Sequence, residues 1–177
     1  MDARLHFVQG KAKLVNATEL LALLREFYRD KLVIAQRHVA VAKHVPHYDF
    51  NNTYQYVIAR EDVQLNWLRD AITDMAGTLE EVPEPEIHTS GKADDVQSQL
   101  IGEDRDSAQQ FVGKWRPRVE AMPNARHRSL LRVILGEALE HKRFFEQALA
   151  GRTDLLGRRA DGAGTGGGVL PVRWIER

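Results

Sequence analysis

Four long stretches of helical periodicity, separated by breaks that carry proline or glycine, set the range of folds open to this chain. The first begins near Asn16, where Glu19 three residues on makes a capping-box arrangement, and stops before Pro46. The second begins at Asn52, with Gln55 three on, and stops at Gly77. The third starts after Ser90, places Asp94 and Asp95 in its first turn and reaches about Met122, with a kink expected at Pro117. The fourth starts at Asn124, just after Pro123, and ends at Gly151. No segment alternates convincingly as a strand. The pattern predicts an all-α four-helix bundle over residues 1–151, then residues 152–177 as a tail. That tail holds a Gly-rich linker, residues 162–168, and an apolar arm, Val169 to Glu176. The arm is expected to dock on its own bundle or on a neighbouring subunit.

Connection lengths order the helices. The first and second are joined by about six residues and so are antiparallel, as are the third and fourth. The middle connection, about fourteen residues from Thr78 to Gly91, spans at most ~46–50 Å when extended. A helix of about 26 residues is ~39 Å long. The connection can therefore run the length of the bundle, which makes the second and third helices parallel.

Composition narrows the function. Of 177 residues 43% are hydrophobic, enough for a core, and 25 basic residues balance 25 acidic ones. A neutral chain lacks the field of a nucleic-acid binder. The absence of cysteine excludes disulfides, thiolate metal sites and a Cys nucleophile. No apolar run is long enough for a membrane span, and the N-terminal residues lack the apolar core of a signal peptide, so a cytoplasmic location is expected. An acidic stretch from Asp74 to Asp106 and a basic one from Lys114 to Arg132 read as solvated faces or subunit contacts in preference to a nucleic-acid surface, and a homodimer is the expected assembly.

Advancing 100° per residue shows which ionisable groups fall on the apolar stripes. The first stripe carries Lys31 and His38 between Phe27 and Val41. The second carries Glu61 between Val57 and Leu65. The third carries Asp104, with Glu103 on its flank. The fourth carries Glu137 and His141 between Ile134 and Phe144. A lone buried carboxylate costs several kcal/mol unless it is paired or ligates a metal. Two readings follow. One is a carboxylate/imidazole metal site built from Glu61, Glu137, His141, Glu103 or Asp104, and His38, holding iron, manganese or zinc. In it the Glu61 and Glu137 carboxylates approach within about 8 Å, a span that ions with ~2 Å ligand bonds could bridge. The other is a metal-free polar network, with Glu61 paired to His38 or Lys31 and Glu137 paired to His141. On general grounds Lys31 is expected to snorkel outward.

Over residues 16–151 the four helices, the long crossover and the inward carboxylates resemble the ferritin-like (rubrerythrin-like) superfamily. The segments Arg60-Glu61-Asp62-Val63-Gln64-Leu65 and Gly136-Glu137-Ala138-Leu139-Glu140-His141 carry the likeness. The family places Glu-x-x-His on its second and fourth helices and a single Glu on each of the others. Glu61 and Glu137 match the Glu positions, Gln64 and Glu140 stand at the His positions, and His141 comes one residue late. Glu26 and Glu103 suit the remaining carboxylates by spacing, although Glu26 lies off the first stripe. The resemblance implies a modified or vestigial di-metal centre, with metal binding or metal-dependent oxidation as its chemistry. The alternative is a metal-free helical protein that homodimerises.

Overall fold

The computed structural model describes residues 3–156, and the side chains of residues 17–156. Most of the expected tail, residues 157–177, and with it the whole apolar arm, lies outside the described residues. Four helices make up the fold: α1 (Ala3–Ala42), α2 (Tyr48–Thr73), α3 (Ala93–Glu120) and α4 (Ala125–Leu149). Among the described residues there is no strand. None of these helices is long and apolar enough to cross a membrane.

Long-range side-chain pairs fix the topology. Arg37 meets Asp104 while Arg118 meets Glu26, so α1 and α3 run antiparallel. Arg60 meets Glu137 and Tyr56 packs on Phe144, so α2 and α4 are antiparallel too. The helices therefore form a ring in the order α1, α2, α4, α3, with α2 and α3 parallel across the diagonal. Residues 74–92 make the crossover. Arg25 Nε donates to the Thr78 carbonyl at 2.9 Å and Gln36 Nε2 to the Val82 carbonyl at 3.2 Å, so the connection follows α1 from one end towards the other. Its far end delivers Ile87 to the opposite half of the core, where Val96 in the first turn of α3 joins it.

Several helix ends differ from the sequence reading. The backbone is helical straight through Asn16, which leaves no cap there. Asn52 lies inside α2, which starts at Tyr48. The neighbouring Asn51 caps the end of α1 instead, its Nδ2 donating to the carbonyls of Ala42 and Val45. Asn124 caps α4 as expected, its Oδ1 accepting from the His127 N–H at 3.0 Å. α3 continues through Pro117 to Glu120, and Gly113 stands where the proline ring would press on the preceding turn.

The end of α2 has no slack. A Cβ on Gly77 would lie 2.6 Å from Leu21 Cδ1, 2.7 Å from Ile72 Cγ2 and 2.9 Å from the Ile72 carbonyl. Backbone on one side and core on the other cannot both move aside cheaply. Gly77→Ala is expected to cost ~1–3 kcal/mol through overpacking. Thermal denaturation of the variant checks it, and an unchanged midpoint would mean the crossover can shift as a unit.

The core falls into two apolar halves. One joins Leu24, Phe27, Leu65, Leu68, Trp115 and Ile134. The other joins Val41, Val57, Leu100, Ile101, Phe145 and Leu155. A polar layer lies between them.

Candidate functional site

Each helix contributes to that middle layer. The buried polar side chains include Lys31 and His38 from α1, Glu61 and Gln64 from α2, Asp104 from α3 and His141 from α4, and none of these is more than 1% exposed. No substrate reaches them without opening the bundle.

Glu61 is the hub. Lys31 Nζ donates to its Oε1 at 2.6 Å, and His38 Nδ1 lies 2.8 Å from its Oε2. Lys31 does not snorkel. From the buried stripe its stem runs towards Glu61, with Phe111 beside the ammonium at 5.9 Å. Burial pushes the Glu61 carboxyl up, yet the charges of His38 and Lys31 outweigh burial and hold it well below the usual carboxylate range. For His38, burial favours the neutral ring, but Glu61 outweighs it by charge and hydrogen bond, and the imidazole is raised. His141 behaves oppositely. Its Nδ1 is 3.9 Å from Glu61 Oε1, too long for a hydrogen bond. Burial, then the Lys31 charge, push it down to about 3, so it stays neutral.

Asp104 forms a second node. Tyr54 OH donates to its Oδ2 at 2.5 Å and Arg37 Nε to its Oδ1 at 2.6 Å. Burial, then Asp104, raise the Tyr54 phenol, so it keeps its proton. The alternative on α3 is thereby resolved. Asp104 is the inward carboxylate, whereas Glu103 is exposed on the flank and takes Arg37 Nη2 at 2.7 Å.

Glu137 is where the sequence reading and the structure part. The stripe of α4 keeps the expected Ile134, His141, Phe144, Phe145 and Ala148 but takes Leu131, Leu135 and Ala138 in place of Leu130, Val133 and Glu137. Val133 is therefore exposed and Glu137 half-buried. Arg60 grips Glu137 with Nη2 at 2.5 Å and Nε at 3.1 Å, and Gln64 Nε2 donates to it at 2.5 Å. The network therefore pairs Glu137 with Arg60 and Gln64, not with His141. Ala138, three residues before His141, occupies the buried position where a chelating Glu would stand. Glu26, the other residue suggested by spacing, faces outward to Arg118 and Lys114, which hold it down to about 2. Sequence reasoning missed Arg37, Tyr54 as a donor, and Gln64 as a buried residue. Gln64 was findable, since it lies three residues after Glu61 on the same face.

These donors do not fit a carboxylate-bridged pair of ions. Both oxygens of Glu61 are taken, one of the two α1 groups that meet it, Lys31 beside His38, is an ammonium, and α4 offers alanine beside its histidine. Among the described residues no group of three His, Asp or Glu side chains could hold a metal ion. The buried Nε2 atoms of His38 and His141 and Oε1 of Gln64 have no hydrogen-bond partner among the described residues.

Fold and site together define a class, a four-helix bundle with a diagonal crossover and a sealed ionic layer at mid-height. Comparison with family models, curated proteins and solved structures finds no match.

Proposed function

We propose that this chain is a ferritin-like bundle whose carboxylate/imidazole centre is remodelled into a metal-free ionic layer, with the Lys31 ammonium as its internal cation. Its role is then binding through its surface, not oxidation at its centre. One observation carries the reading. Lys31 Nζ sits 2.6 Å from Glu61 Oε1, with the two side chains 1% and 0% exposed. A divalent ion would have to displace a buried ammonium from its carboxylate, leaving that ammonium unpaired at a cost of several kcal/mol.

The test is metal analysis and melting of the freshly purified full chain, with and without chelator. The expected result is no stoichiometric iron, manganese or zinc, and a melting temperature indifferent to chelator. A bound ion present at 100 times its dissociation constant would add ~2.7 kcal/mol, or ~5–11 °C at ~2–4 °C per kcal/mol. A chelator-sensitive shift of that size would overturn the proposal. It would direct attention to the unpartnered Nε2 atoms of His38 and His141 as ligands.

A further inference from the structure

The outer side of the α2–α4 pair carries a long apolar track. On α2, Tyr56, Val63 and Trp67 are exposed at helical spacing, and on α4 Val133 is 49% exposed beside them. At one end the track deepens into a cavity of about 440 Å³, floored by Trp67, Ala71, Leu130 and Val133. Its rim bears Asp70 and Asp74 on one wall and Arg126 and His127 on the other. Each pair has the wrong sign for its own helix. The acids sit at the C-terminal end of α2 and the bases in the first turn of α4, where the backbone dipole disfavours them. Burial and then the Arg126 charge lower His127, with Asp74 countering only in part, so Arg126 is the standing positive charge that faces Asp70 and Asp74. A ligand bearing both signs would complement them further.

The chain leaves the bundle on this same side. Leu156 lines a smaller cavity with Asp49, Asn52 and Thr53, at the opposite end of the same α2 face. From Thr53 to Asp70 along the helix is ~26 Å. Residues 157–168 span up to ~40–43 Å when extended. Beyond them stand Val169, Leu170, Val172, Trp174 and Ile175, with Arg173, Glu176 and Arg177 supplying both charges.

We propose that residues 169–176 of this chain dock in its own α2–α4 groove, over Trp67 and Val133. The apolar side chains cover the exposed track, Arg173 answers Asp70 and Asp74, and Glu176 answers Arg126. The occupant is chosen on three counts: the departure point, the reach and the paired charges. It is independent of whether the central layer holds metal.

The chain has no cysteine, so introduced pairs report proximity without background. Val133→Cys is combined in turn with Val169→Cys, Leu170→Cys, Val172→Cys and Ile175→Cys in the full chain and oxidised mildly at low concentration. At least one pair should close within a monomer. Val33→Cys, exposed on α1, should close with none of them. Disulfide dimers in place of closed monomers would overturn the proposal in favour of exchange between copies, and no closure at any position would overturn it outright. As a second readout, Trp67→Ser should speed tryptic cleavage at Arg173 about tenfold or more, provided its melting temperature is retained. Unchanged cleavage would count against docking even if a disulfide had formed.

Discussion

Lys31→Met is expected to destabilise the bundle by ~3–5 kcal/mol, which lowers the melting temperature by ~6–20 °C at ~2–4 °C per kcal/mol. Methionine keeps the length of the stem and removes the ammonium. Glu61 would then be a fully buried carboxylate with His38 as its one close partner, at 2.8 Å. The large effect is the cost of stranding an anion, not the net worth of the ion pair. The double variant Lys31→Met/Glu61→Leu should therefore recover most of the loss, since it replaces both members by apolar groups in a layer flanked by apolar halves. Chemical denaturation of the wild type, both single variants and the double variant gives the coupling directly. A single variant as stable as the wild type would mean that His141, 3.9 Å from Glu61, takes a proton and replaces Lys31 as counter-ion.

The architecture was legible because its signals are local and strong. Breaks at Pro46, Gly77 and Pro123 delimit the helices, and the reach of the middle connection anticipates the parallel α2 and α3. Three stripes were read in correct phase, which put Lys31, His38, Glu61 and Asp104 inside. The fourth was not. Leu130, Leu131, Val133, Ile134 and Leu135 form a nearly continuous apolar run, so two adjacent stripes fit about equally well. Packing against α3 selects the one through Leu131 and Leu135, and Glu137 rotates to the flank, within reach of Arg60. Lys31 was placed on the correct face with the wrong expectation for its head group. A general preference for solvent decides exposed lysines, whereas here a carboxylate on the neighbouring helix supplies a partner. The basic stretch on α3 and α4 reads from the sequence as a solvated face or a contact surface, and much of it is answered within the chain. Lys114 pairs with Asp30, Arg118 with Glu26 and Arg132 with Glu120, and Arg128 donates to the Met122 carbonyl. The pairs of Lys114 and Arg118 join residues 84 and 92 positions apart, and the other two cross the turn between α3 and α4, so no periodicity reveals them.

The second large effect is on acid stability, and its sign follows from the layer. His141 is pushed down to about 3 in the fold, by burial first and the Lys31 charge second. The unfolded chain takes up that proton near pH 6.5, so between about 6.5 and 3 the unfolded state binds more protons and stability falls as pH falls. Each pH unit across that window removes up to ~1.4 kcal/mol, which sums to ~4 kcal/mol. Glu61, also depressed, adds a second loss once pH drops below the ordinary carboxylate value of about 4.3. His38 acts the other way. Its raised value gives a contribution that is complete below about 6.5 and fades as pH rises above it. Stability should therefore peak near neutrality and begin to decline well above the carboxylate range. His141→Asn keeps a neutral polar side chain, smaller than the imidazole, and removes the first loss, so its acid limb should begin near pH 4. A shallow slope near neutrality should persist, because burial also lowers His127. Unfolding free energies by denaturant titration from pH 3 to 8 decide the matter, over a range set by the ordinary pKa values of these groups. Parallel curves for variant and wild type between about pH 4 and 6.5 would show that His141 accepts its proton inside the fold, making Glu61 the shared anion of three cations.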